Sequence, residues 1–263
     1  MVVKDKEGKE YECNERYAGL VYFCEDNIVV RNGVVTQYPK DRYLLVDSFL
    51  IDKKTGKVVD LSLEFEEEVN AQGYAYLRDS LPEVLNASEN KIKINVPTEF
   101  SEDELGEIII TDKDGNESIL YFDNHNRIVG YTNDHIEVLP DNFCARRKYI
   151  KNVSLKSVKS MGSLCFCSCV NLRYVSADNL EVMGNNCFQD MDDLEVVNMD
   201  NLKSMGDGCF SLVGSIDKVS MKSLETMGKD CFKTVSSWLE FNCPNLEKMG
   251  RSDLEVKHSE MIF

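Results

Sequence analysis

The sequence lacks most of what would mark an enzyme, a metalloprotein or a membrane protein. It has three histidines, His125, His135 and His258. The first two lie in an Asn/Asp-rich stretch and the third in the C-terminal tail. No Ser or Cys has a nucleophile-elbow context, and no G-x-x-x-x-G-K phosphate loop is present. No His or second Cys pair stands at a zinc spacing beside the Cys165-Phe166-Cys167-Ser168-Cys169 cluster. No catalytic residue, metal or cofactor is therefore expected. No stretch approaches the roughly 18 apolar residues that a membrane span needs, so no membrane insertion is expected. Residues 1–10 contain no apolar h-region. As written, the chain is expected to be a cytoplasmic protein, although a removed leader or signal-independent export would also fit.

Positive charge is also scarce. There are 30 Lys and Arg against 46 Asp and Glu, a net charge of −16. The imbalance is uneven. Residues 1–138 hold 15 basic and 29 acidic side chains, whereas residues 139–263 hold 15 and 17. An acidic surface repels phosphate backbones and anionic lipid, so nucleic acid is not expected as a partner. The acidic half would suit a basic protein partner, or would serve solubility alone.

What is present is a repeat. Met-Gly recurs at Met161, Met183, Met205, Met227 and Met249, 22 residues apart each time. With Met as position 1, Cys-Phe follows at positions 5 and 6 in four copies: Cys165, Cys187, Cys209 and Cys231, each before Phe. Position 12 holds Leu172, Leu194, Ile216 and Trp238, and position 15 holds Val175, Val197, Val219 and Phe241. Position 17 holds Ala177, Met199, Met221 and Cys243, and position 20 holds Leu180, Leu202, Leu224 and Leu246. A weaker copy begins at Leu139–Pro140, with Phe143, Ile150, Val153, Leu155 and Val158, and a partial one precedes it at Ile128, Tyr131 and Ile136.

Alternation at positions 15 and 17 predicts a short strand. Positions 20 and 1 bracket a second extended segment, ended by a Gly that suits unusual backbone angles. Cys-Phe-x-x-apolar, with Cys169, Met191, Val213 and Val235 as the last member, has the 3–4 spacing of a short helical turn. No unit can bury its own apolar edge, but stacked units share one core. The cysteine column fits buried small hydrophobes better than a metal or disulfide ladder. Cys165 and Cys169 fall on core positions and Cys167 on an exposed one.

The run L-x-x-V-x-M followed by M-G-x-x-C-F resembles the BspA-like, or Treponema-pallidum-type, class of leucine-rich repeat, over residues ~126–250. That class has Ala where this chain has Cys. The resemblance implies a solenoid that binds a protein partner. It also implies adhesion or host interaction, as in surface or secreted proteins of bacteria and some protists, which is the alternative to a cytoplasmic location.

The expected fold class is thus an α/β repeat, a solenoid of 22-residue units over 126–250. A small, β-rich α+β region precedes it over 1–125, as a cap or a separate domain, and a C-terminal cap follows over 251–263. In the first region, Asn32–Gly33 predicts a hairpin between Ile28–Val30 and Val34–Thr36. Thr55–Gly56 turns Tyr43–Ile51 into Val58–Leu61. A rough helical face runs through Leu63, Phe65, Val69, Tyr74, Leu77, Leu81 and Val84–Leu85. Lys91–Val96 reads as a strand and Thr98–Leu105 as a short capped helix. Asp112–Ser118 partly matches a calcium loop, but its flanks read as strands, so a hairpin turn at Asp114-Gly115-Asn116 is the simpler account.

Positions 13, 14, 16 and 18 should point away from the core. This exposed strand face is the expected partner-binding surface. Its candidates are Arg173, Tyr174, Glu195, Val196, Asp217, Lys218, Leu239 and Glu240, with Arg173 and Tyr174 foremost because Arg and Tyr dominate interface energetics. Two rival readings are an intracellular enzyme with its site in residues 1–125 and the repeats as substrate selector, and a self-assembling structural protein.

Overall fold

The computed structural model describes residues 2–17, 21–61, 90–97, 100–192, 194–235, 237–250 and 261–262. These fall into two compact units. The first takes the described residues within 2–61, 90–115 and 120–128; the second takes 116–119 and the described residues from 129 onward.

In the first unit, strands Val2–Lys4, Glu10–Tyr17, Val21–Cys24, Ile28–Arg31 and Val34–Gln37 form an antiparallel sheet in sequence order. The expected Asn32–Gly33 hairpin is there. Arg31 pairs with Val34, and both turn residues adopt left-handed φ, 50° and 74°, as a two-residue turn of this kind requires. Cys13 and Cys24 face each other across the second and third strands and form a disulfide.

The strand expected over Tyr43–Ile51 is broken. Tyr43–Val46, Phe49–Asp52 and Lys57–Asp60 make a three-stranded meander instead. The break is Asp47, at φ 49°. Its N–H donates to the Asn126 carbonyl at 2.8 Å and its carboxylate accepts from Ile128 N–H at 3.2 Å. Those two long-range hydrogen bonds offset the cost of a left-handed Asp. The helical face expected over 62–88 lies outside the described residues. Thr98 and Glu99 also lie outside them, and Phe100–Leu105 holds one turn rather than a helix, with Glu104 N–H bonded to Ser101 O. Lys91–Asn95, Gly106–Thr111 and Glu117–Phe122 are strands. Gly115, at φ 86°, sits in the turn between the last two, where Asp114 N–H bonds the Asp112 carboxylate.

The second unit is a β-solenoid. Its front strands are Ile128–Asn133 (from Val129 within the unit), Asn152–Ser154, Tyr174–Ser176, Val196–Asn198, Ser215–Ser220 and Ser237–Asn242. All pair in parallel with a 22-residue register, Tyr131 with Val153, Val153 with Val175, Val175 with Val197 and Val197 with Val219. Met261–Ile262 adds to Phe241–Asn242, off that register. Residues 251–260, including His258, and Phe263 lie outside the described residues. Two-residue rear strands at Val138, Ser160, Val182, Ser204, Thr226 and Lys248 form a second parallel sheet.

The repeat columns face inward as their apolarity requires. Met161, Met183, Met205 and Met227, the Cys-Phe pairs, Leu172, Leu194, Ile216 and the position-17 and position-20 residues up to Met221 and Leu224 are all buried. Phe166, Phe188, Phe210 and Phe232 stack with centroids 5.2–5.5 Å apart and planes within 13°. Phe143 and then Tyr131 continue the aromatic column at 6.0 and 5.3 Å. In the first coil the pair is reversed, Phe143-Cys144.

The helical turn expected after Met-Gly is not formed, and the α/β assignment is corrected to a nearly all-strand fold with no α-helix among the described residues. A helix needs each N–H to return to its own chain four residues back. Here Leu164, Phe166 and Ser168 donate instead to Asn185, Cys187 and Gln189 of the next coil, at 2.8–2.9 Å. Residues two apart in the first coil and four apart in the later ones adopt left-handed φ: Asn142, Cys144 and Arg146, then Leu164 and Ser168, Asn186 and Asp190, Gly208 and Leu212, Asp230 and Thr234. Asn, Asp and Gly tolerate that region, whereas Leu, Ser and Thr accept it only because the coil-to-coil ladder holds them there.

Side chains stitch the coils together as well. The oxygens of Asp141, Ser163, Asn185 and Asp207 accept the backbone N–H one coil on, at 2.7–3.2 Å. Asn179, Asn201 and Asn245 reach back to carbonyls of the previous coil at 2.6–2.7 Å.

Candidate interaction face

On the front sheet one column in register runs Asn152, Tyr174, Val196, Lys218 and Glu240. Tyr174 and Val196 adjoin and remain 49% and 42% exposed, an exposed aromatic–aliphatic pair. Arg173 and Glu195 flank them. Arg173 Nη1 lies 3.8 Å from Glu195 Oε1, and the Tyr174 hydroxyl donates to the other Glu195 oxygen. That bond to a carboxylate, helped by partial desolvation, pushes the Tyr174 hydroxyl above the usual phenol range. Glu195 thus holds both leading candidate side chains in place, which limits the entropy they would lose on binding. Lys218 is exposed. Asp217, Leu239 and Glu240 lie on the next two strands, but their side chains lie outside the described residues.

Beside this column runs a shallow polar groove lined by Val196, Asn198, Asp200, Lys218, Ser220, Lys222 and Asn242. Its centre is Asp200. Burial raises that carboxyl, but hydrogen bonds from Lys222 Nζ, Ser220 Oγ and the Lys222 N–H outweigh it and hold Asp200 below the usual carboxylate range. Reasoning from the sequence did not single out Asp200 or Lys222. Their shared position 18, one coil apart with opposite charge, was the available signal.

On the rear face the exposed Val138 and Val182 are separated by Ser160. Glu137, Lys159, Glu181, Lys203 and Glu225 alternate in sign up one column, and Lys159–Glu137 and Lys203–Glu181 close at 2.8 and 2.6 Å. Exposed pairs of this kind contribute about 0–1 kcal/mol each, and their effect is to favour one coil register over its slipped alternatives.

The cysteines are structural in a specific way. Each column thiol has two carbonyls within reach of its single S–H, that of the Met-Gly glycine in its own coil and that of the coil before. Cys187 reaches Gly162 O at 3.0 Å and Gly184 O at 3.5 Å; Cys209 and Cys231 repeat the pattern, and Cys165 reaches Pro140 O and Gly162 O. An alanine would fill the space but leave those carbonyls without this weak donor. Hydrogen bonding to the thiol of the preceding coil, with burial, pushes Cys187 and Cys209 far above the ordinary thiol range. Cys167, expected to be exposed, is 5% exposed, because its segment packs along the next coil at Gln189 instead of projecting from a helix. The disulfide between Cys13 and Cys24 went unread: both lie outside the repeat, and only their placement on neighbouring strands signals the pairing.

His125 Nδ1 lies 3.0 Å from Glu25 Oε1, and His135 N–H caps onto Asn133 Oδ1 at 2.8 Å. No helix among the described residues is long and apolar enough to cross a membrane.

A sequence profile of the BspA type leucine rich repeat region matches residues 137–254 in six copies. The solenoid is a BspA-type leucine-rich repeat. A solved structure, that of a leucine rich repeat protein from T. pallidum, is similar to this chain at 16% identity with a TM-score of 0.36, over 64% of this chain and 86% of its own. No curated protein matches. BspA-type repeats are typically non-enzymatic interaction modules.

Proposed function

We propose that the chain is a protein-binding module whose front strand face, centred on Tyr174 and Val196, receives the partner. The observation that carries this reading is the exposed Tyr174–Val196 pair, braced by Arg173 and Glu195 on a rigid parallel sheet. Pre-positioned aromatic and Arg side chains are the usual anchors of an interface. The finer reading is adhesion or host interaction at a cell surface. The Cys13–Cys24 disulfide supports it, since such bonds persist in oxidising compartments, and favours that location over the cytoplasm.

The test is affinity capture with the full chain, quantified for wild type and for Tyr174→Ala, with Val182→Ala on the rear face as control. Val182 is similarly exposed, at 46%. Tyr174→Ala is expected to weaken capture about tenfold, corresponding to about 1.4 kcal/mol, and Val182→Ala to leave it unchanged. Equal capture by both variants removes the front face as the binding surface.

A further inference from the structure

Between Asp141 and Asp178 the chain carries seven basic residues and no acidic one, in a protein of net charge −16. The rest of residues 139–263 holds eight basic side chains against seventeen acidic. The positive charge is therefore concentrated on the first coils of the solenoid.

Coil stacking accounts for part of it. Lys156 pairs with Asp134 and Lys159 with Glu137, both at 2.8 Å, and Arg147 is buried. Arg146, Lys148 and Lys151 lie on one short run that passes from the turn side of the solenoid into its front strand. Arg146 and Lys151 are exposed, and the Lys148 ammonium stands 4.9 Å over the Tyr149 ring. The next coil adds Arg173 and Tyr174, both of which also contact the Glu195 carboxylate. The Lys151 carbonyl accepts the N–H groups of both, at 3.0 and 3.2 Å, and Asn171 Nδ2 bonds the Lys148 carbonyl at 2.5 Å. The two coils are thus held in register at this corner, and the cationic side chains stand on fixed backbone.

We infer that this corner, Arg146, Lys148, Lys151 and Arg173 beside Tyr149 and Tyr174, docks a short acidic segment of a partner protein. The inference rests on the front-face reading above and adds the partner's chemistry. Arg forks match carboxylates in bidentate geometry, and Lys supplies point charges. The length of the occupant follows from screening. An extended segment of five or six residues spans about 16–20 Å, which keeps it over the corner. Charges more than about 8–10 Å away are largely screened at physiological ionic strength. The net charge of −16 disfavours a nucleic acid or a long sulfated polysaccharide in the same place.

The probe is fluorescein-labelled hexaglutamate, titrated by anisotropy against the full chain at low salt and at about 0.15 M salt. Binding is expected at low salt, with weakening as salt rises. The double variant Lys148→Glu/Lys151→Glu should bind at least about tenfold more weakly. Lys148→Ala/Lys151→Ala should show a smaller loss in the same direction, and Lys229→Glu, on a later coil, should bind as wild type. Circular dichroism of each variant verifies the fold, and the alanine pair serves if the charge reversal does not fold. No binding at low salt, equal binding by the variants, or displacement of hexaglutamate by an equal concentration of a sulfated hexasaccharide or a hexanucleotide overturns the inference. If hexaglutamate fails while Tyr174→Ala still weakens capture, the acidic-segment inference falls and the front-face reading stands. If hexaglutamate binds and Tyr174→Ala has no effect on capture, the front-face reading falls and the corner stands as a separate anion-binding site.

Discussion

Gly184→Ala is the most direct test of how the coils are packed. None of the Met-Gly glycines has positive φ among the described residues, so the conformational role expected from the sequence does not apply. The need is for close approach. A Cβ on Gly184 would lie 2.7 Å from the Gly162 carbonyl carbon and 2.7 Å from Ser163 N, where ordinary contact begins at 3.4 Å. Both are backbone atoms of the preceding coil and cannot swing aside, so the coils would have to part by about 0.7 Å. The Gly184 N–H bond to Met161 O, now 2.9 Å, would stretch to about 3.6 Å, beyond useful hydrogen-bond length. Overpacking costs about 1–3 kcal/mol and the lost bond about 1 kcal/mol more, a total of about 2–4 kcal/mol. For a unit of this size that lowers Tm by about 6–16 °C. The assay is thermal unfolding followed by circular dichroism, with Gly115→Ala as control. A Cβ on Gly115 would meet nothing within 4 Å, so only the left-handed φ penalises it, by about 1–2 kcal/mol. A Gly184→Ala Tm within about 2 °C of wild type, or a loss no greater than that of Gly115→Ala, would refute the close-approach account. Pro140 agrees with it: the first coil carries proline where later coils carry glycine, and the Cβ at this position points toward the coil before.

Two further outcomes follow from the same geometry. In alkylation of the native protein without reductant, Cys13 and Cys24 should stay unmodified as a disulfide, and the eight buried thiols, Cys187 and Cys209 above all, should react only after denaturant is added. Burial holds Cys243 at about 12, so rapid labelling of any of these thiols at neutral pH, read by mass spectrometry, would contradict the packing. For Asp200, whose folded carboxyl is held below its unfolded value near about 3.9, the stabilisation is present above the unfolded value and is lost as pH falls through the folded one. Asp200→Asn should therefore cost at most about 1 kcal/mol at pH 7, given its partial exposure, and nothing in strong acid. A variant whose deficit persisted undiminished in acid would show that the Lys222 and Ser220 contacts are not the source.

The repeat could be read from sequence because a solenoid presents the same environment every 22 residues. Core columns such as Met161 to Met227 and Leu180 to Leu224 then appear as periodic apolarity, and exposed columns such as Tyr174 and Val196 as the positions left over. Asn32–Gly33 was legible for a similar reason, since its backbone demand is local. The third side of each coil was not. Whether Leu164 or Phe166 donates within its own turn or to the next coil is not encoded in apolar spacing, which is compatible with both. Stacking decided it, by bringing carbonyls such as Cys187 O within 3 Å of those donors. The same stacking made the glycines points of closest approach instead of turns with unusual backbone angles, and put two carbonyls within reach of each column cysteine. It also set Glu195 against both Arg173 and Tyr174. Each of these outcomes depends on the distance between residues of neighbouring coils, and that distance exists only once the coils are in contact.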